Sequence, residues 1–422
     1  MRKRPTSSVQ DVTRVPSSSK GACGVIMDAT AVSSLRLISR AAAIRFIVLI
    51  GVVSLFADMT YEGARSITGP YLALLGASAT AVGVIAGLGE LIGYAVRLLS
   101  GWLVDRTQRY WTITIAGYGL NLLAVPLLAC ASRWEAAAVL IVAERMGRAI
   151  RSPGRDAMLS HAATHTGLGW GFGLHEAMDQ IGAVLGPLLV SAVLYLQYGY
   201  QAAFAVLLVP ALLSLTVVVT ARFQFPRPRD FDLMPPAVHT RGFKQAYWIY
   251  MAAVALIGAG YADFALISYH FGKASIVSAP IIPIFYAVAM GSDAIAALGL
   301  GRLFDRHGMI VVVATAVAAA AASPLVFLGG ATLAFIGMIL WGIGMAAQES
   351  VMRAVIASMT TPERRATAFG ILNAVFGLAW FLGSVLLGVI YDHSVTAVAV
   401  VSLILQLLSV PLLLVVMSKG SA

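Results

Sequence analysis

Gly101-Trp102-Leu103-Val104-Asp105-Arg106-Thr107-Gln108-Arg109 follows one hydrophobic run, and Gly301-Arg302-Leu303-Phe304-Asp305-Arg306-His307-Gly308 follows another. The shared string is Gly-x-Leu-x-Asp-Arg, and each copy comes after the second hydrophobic run of a set of six. Self-similarity at a fixed offset marks a duplicated unit. Between the two sets lies the most polar internal stretch, about Arg222 to Lys244, with Pro226, Pro228, Pro235 and Pro236. The expected organisation is a tail over 1–43, a six-helix bundle over 44–222, a linker over 223–246 and a second six-helix bundle over 247–418. Parallel repeats of this kind suit a transporter whose halves rock about a central site.

Composition sets the class. The 422 residues are 59% hydrophobic and 11% charged, with mean hydropathy +0.86, too little charge for a soluble chain of this size. Runs of about 20 apolar residues, enough to span a bilayer as a helix, fall near 44–67, 80–100, 111–131, 134–152, 171–196, 203–222, 247–270, 280–300, 309–329, 331–352, 369–391 and 396–417. The fold class is therefore an all-α polytopic membrane protein of twelve transmembrane helices in two six-helix repeats.

The net charge of +10 is not a nucleic-acid signal, because its distribution follows the membrane. With the N-terminus in the cytoplasm, all but four of the 29 basic residues fall on the cytoplasmic side. Arg133 and Lys273 lie outside, and Arg65 and Arg97 lie within spans. That asymmetry predicts both termini in the cytoplasm. The first 40 residues are polar and Ser-rich with no apolar core, which predicts a disordered tail rather than a signal peptide. Cys23 and Cys130 suggest neither a disulfide nor a metal framework.

The repeated string resembles the cytoplasmic signature of the major facilitator superfamily, over roughly residues 42–418. The second copy matches through Gly308; the first has Gln108 where glycine is usual and keeps the basic residue at Arg109. The resemblance implies the twelve-helix fold and a latch role for Gly101, Asp105, Arg106, Arg109, Gly301, Asp305 and Arg306 at the cytoplasmic mouth. A plain loop anchor at the headgroups is the alternative, and for Asp305 the two weigh evenly. Gly182, Gly186 and Pro187 form a Gly-x-x-x-Gly-Pro stretch similar to the antiporter signature of exporting members, although Val190 and Ser191 replace its later glycines. Such a GxxxG pair also serves close helix packing by itself.

Acids inside spans are costly and persist mainly where they line a cavity or relay protons. Asp58 and Glu62, four residues apart, share one face of the first span. Asp58 has no basic partner in its own helix; Glu62 has Arg65 three residues on. Glu144-Arg145 lie in span 4, where Arg145 resembles the intramembrane arginine of the superfamily. Glu90 or Glu144 is its expected partner, in a static ion pair or a working one. Arg148, Arg151 and Arg155 read as cytoplasmic charges. Asp263, mid-span with Tyr261 and Tyr269 beside it, is the candidate cavity acid of the second half. His175 and Asp179, one turn apart, read as structural partners of neighbouring arginines ahead of a proton relay. Glu349 and Arg353 have the spacing of an intrahelical ion pair, and Trp341, Phe376 and Trp380 that of packing aromatics.

These features predict a secondary active transporter of a small molecule, coupled to protons, with export by substrate/proton antiport ahead of an uptake symporter. A transport-inactive sensor on the same fold is a further alternative. The chain has no HExxH, GxSxG or Cys/His cluster for an enzyme and no GxxxxGK[ST] loop for an ATP-driven pump. No cofactor or metal is expected. The expected setting is the bacterial plasma membrane, with the protein acting as a monomer. The substrate is not written in the sequence.

Overall fold

A computed structural model describes residues 40–163, 168–226, 245–360 and 365–420. Most of the tail (1–39) and of the linker (227–244) thus lies outside the described residues. Among those described there is helix and no strand, as a lipid-exposed chain requires when every backbone group must be satisfied within its own segment. We number the helices α1 (Arg40–Leu74), α2 (Ala79–Thr107), α3 (Tyr110–Leu127), α4 (Trp134–Ala163), α5 (Leu168–Tyr195) and α6 (Gly199–Gln224). The second half continues with α7 (Gln245–Lys273), α8 (Ile281–His307), α9 (Met309–Leu328), α10 (Ala331–Ile356), α11 (Arg365–His393) and α12 (Val395–Gly420).

Eleven of these are long and apolar enough to cross a membrane. The exception is α4, 30 residues long and studded with charge. It is the fourth of the twelve spans, and its polar face turns inward against its neighbours.

Three local departures position the site. The α7 span is broken at Tyr261–Asp263, where Asp263 becomes the N-cap of the second segment and accepts a hydrogen bond from the Ala265 amide at 2.8 Å. In α10, residues Ala347–Val351 form a turn of π-helix. At the end of α2, Gln108 takes a left-handed backbone with φ 58°, as Gly308 takes φ 63° at the end of α8. The position where the superfamily signature usually has glycine is thus a helix stop with positive φ in both repeats, αL only at Gln108. Gln108 tolerates it while its side-chain amide donates to the Asp105 carbonyl at 2.6 Å.

Gly182 and Gly186 do pack helices. A Cβ at either would stand 2.2 Å from a backbone carbonyl of α1, that of Leu55 or Met59. The two halves meet at the end of the molecule remote from Asp105 and Asp305. There a Cβ at Gly69 would strike the Ala265 carbonyl at 2.1 Å, and one at Gly83 the Ser384 carbonyl at 2.3 Å. The Ser191 hydroxyl donates to the Pro280 carbonyl at 2.7 Å. Asp392 at the end of α11 accepts from the Ala79 and Thr80 amides at 3.1 and 2.9 Å and from the Thr80 hydroxyl at 2.6 Å. One half thereby caps the N-terminus of a helix in the other.

Candidate transport site

Between the halves, toward the end that carries Asp105 and Asp305, lies a cavity of about 630 Å³. It is lined by α1, α2, α4 and α5 on one side and by α8 and α10 on the other. A smaller chamber of about 210 Å³ adjoins it, walled by α2, α4, α10 and α11 and floored by Phe376 and Trp380.

The charged core of the site is built on α4. Glu144, Arg148, Arg151 and Arg155 recur every three or four residues, so they share one face. That spacing is the signal that assigning the arginines to the cytoplasmic surface overlooked. Arg151 is 1% exposed, with its guanidinium 4.5 Å from the Tyr118 ring centre and one nitrogen 3.9 Å from the Asp58 carboxylate. Arg148 lies 4.4 Å over Tyr61 and 3.8 Å from both Glu62 and Glu144. Neither is a surface charge. Charged residues in a bilayer turn to the bundle interior when partners wait there, and the positive-inside rule cannot distinguish that case near a helix end.

Arg145 pairs with both acids named for it: with Glu90 on α2, and with Glu144 at 3.4 Å. The Asn121 amide donates to Glu144 at 2.9 Å. Glu62 faces Arg65 at 3.9 Å and accepts a hydrogen bond from the Tyr286 hydroxyl of the other half. Asp263 has no basic residue within a turn of its own helix, and finds one across the interface in Arg65 at 3.5 Å. It also receives the Trp380 indole N–H at 3.3 Å. The partner was invisible in sequence because it sits 198 positions away. Trp380 is therefore more than packing.

His175 and Asp179 stand 3.4 Å apart, with Ser54 on the histidine and Arg155 4.0 Å from the aspartate. Asp293 is 3% exposed. It lines the cavity with the Gln180 amide 3.5 Å away. Glu349 and Arg353 line both chambers, and no ion pair joins them among the described residues.

The signature loops lie apart from this network. Among the described residues the Asp105 carboxylate makes no hydrogen bond or ion pair, and Arg106 stacks 5.2 Å over Trp102. A Cβ at Gly301 would meet nothing, and one at Gly101 only Pro153 at 3.7 Å.

A twelve-helix bundle in two repeats, with a charged cavity at their interface, defines a rocking-bundle membrane transporter. The family model of the Major Facilitator Superfamily matches residues 47–347 and 246–421, and the chain belongs to that superfamily. It is 39% identical over 372 residues to an uncharacterized protein of Mycobacterium tuberculosis, covering 86% of this chain and 91% of that one. An uncharacterized MFS-type transporter of Methanocaldococcus jannaschii is 24% identical over 356 residues, covering 82% and 88%. Among solved structures, the nucleoside transporter NupG superposes with TM-score 0.69 at 16% identity, covering 89% of this chain and 99% of its own. A bacterial homologue of the lysosomal transporter Spinster, inward-facing and unoccupied, gives 0.68 at 14%, covering 89% and 95%. At such identities the likeness establishes the fold alone, and the chain is a superfamily transporter rather than an enzyme.

Proposed function

We propose that this transporter exchanges protons for a small molecule and exports it, with Asp58 and Glu62 as the coupling carboxylates. The carrying observation is that both acids, on one face of α1, line the cavity opposite arginines of α4. Adding a proton to either removes the charge that holds Arg148 or Arg151, so proton occupancy and the arrangement of α1 against α4 are linked. The Glu62–Tyr286 bond carries that change to the other half. Export by antiport rests on the packing motif at Gly182, Gly186 and Pro187. Glu90, Glu144, Arg145 and Asp263 act as the supporting charges of the same network.

Both termini and the loops at Asp105 and Asp305 face the cytoplasm of a bacterial plasma membrane, and the protein works as a monomer. The cavity then opens inward. The signature residues Gly101, Asp105, Arg106, Arg109, Gly301, Asp305 and Arg306 act in the opposite state, when that end closes. Asp105→Asn therefore slows turnover without unfolding the protein.

The test is flux in proteoliposomes under an imposed pH gradient, using a ligand found by thermal-shift screening. Wild type should accumulate it on the acidic side, while Asp58→Asn and Glu62→Gln should lose the dependence on the gradient. Full gradient-driven transport in both variants would move coupling elsewhere. Accumulation on the alkaline side would reverse the direction to uptake.

A further inference from the structure

Helix α10 holds opposite charges four residues apart that ought to neutralise each other. In an α-helix, Glu349 and Arg353 would be neighbours on one face. A π-turn over Ala347–Val351 interrupts the α-helix at Glu349, and among the described residues the two side chains form no ion pair. Both side chains instead line the cavity.

Charges of both signs without an ion-pair partner stand beside them in the two chambers. In the smaller chamber Arg97 of α2 has, like Arg353, no acidic partner among the described residues, and Tyr94, Asn373 and Gln348 surround them. In the larger chamber Glu176 and Asp293 have, like Glu349, no cation at ion-pair distance among the described residues, and they share the single amide of Gln180. A buried carboxylate such as Asp293 without a cation is a costly arrangement for a protein to keep idle. Deeper in the same cavity, Asp58 Oδ1 and Arg151 Nε and Nη1 are buried with no hydrogen-bond partner.

We propose that the transported molecule is zwitterionic, with its anionic group held by Arg97 and Arg353 and its cationic group by Glu349 and Asp293. Guanidinium forks suit a carboxylate or phosphate, and Phe376 and Trp380 floor the anionic end for an apolar or aromatic body. A cavity of about 630 Å³ lies within the ~300–1,000 Å³ usual for small-molecule sites. Arg97 belongs to one half and Arg353, Glu349 and Asp293 to the other, so one ligand spans the gap that must close. The inference rests on the transport reading of this cavity but not on proton coupling.

The probes are a panel of aromatic amino acids, each in three forms: the zwitterion, the N-acetylated anion and the methyl-ester cation. Binding to the purified full chain is read by thermal shift without any pH gradient. At least one zwitterion should bind about tenfold more tightly than both singly charged forms, the effect of one charge-assisted contact. Glu349→Gln should erase the preference over the anion alone, and Arg353→Gln the preference over the cation alone. If no zwitterion outranks its two derivatives on wild type, the proposal fails, and this comparison needs no variant to fold. If both variants weaken all three forms equally, it fails too. A zwitterion that binds in this way but is carried without regard to pH would overturn the coupling and leave this inference standing.

Discussion

At the residue scale, Arg145 shows how a charge is kept inside this bundle. Its guanidinium is held by Glu90 from one side and Glu144 from the other. Removing one member of a wholly buried pair costs ~3–5 kcal/mol. Here Glu144 remains and Glu90 is partly open to the cavity, so Glu90→Gln should cost on the order of 2 kcal/mol. Thermal unfolding in detergent should show a lowered Tm, with most of the loss recovered in the Glu90→Gln/Arg145→Gln double variant. A single variant as stable as wild type would show that water already does what Glu90 does. The acids of α1 and the Glu90–Glu144–Arg145 set were legible because unpaired charge in an apolar run is conspicuous. Their partners were not. Tyr286 and Trp380 look like packing aromatics until the fold brings them to Glu62 and Asp263, and Arg148 and Arg151 are marked as cavity charges only by the helical face they share with Glu144.

At the scale of the element, glycines of the same kind do different things. Gly182 and Gly186 let α5 lie against the α1 backbone, and a methyl at either would need the helices to part. Gly182→Ala and Gly186→Ala should each cost about 1–3 kcal/mol, as overpacking does, and the double variant should insert poorly. Gly301→Ala meets open space and should leave stability unchanged within about 0.5 kcal/mol. Equal melting temperatures for all three variants would contradict the packing. The helices themselves were readable because length and hydropathy suffice to place a span. The break in α7 and the π-turn in α10 were not, since Tyr261–Asp263 contains neither glycine nor proline and Ala347–Val351 reads as ordinary helix. Glu349 and Arg353 have the spacing of a pair, yet both line the cavity without joining.

At the scale of the whole molecule, the halves are joined at one end and parted at the other. The Asp392 cap on α2 is part of that closure, and such caps contribute ~0.5–2 kcal/mol. Asp392→Ala should therefore shift the balance between the two states by roughly 2- to 30-fold toward opening at that end. Spin-label distances between the loops after α1 and after α11 would report it, and an unchanged distribution would make the cap incidental. Orientation has its own check. Cysteines placed in 227–244 should react with a membrane-impermeant reagent only in inside-out vesicles, and labelling in intact cells would invert the topology.

The π-turn of α10 also bears on how relatives should be compared. It holds five residues in a turn where the α-helix uses about 3.6. One residue can thus be lost there without turning either flank of the helix. Deleting Ala347 should therefore leave one continuous α-helix, with the fold kept. A one-codon gap in the middle of a membrane helix, ordinarily dismissed as an alignment error, is at this position compatible with an unbroken span.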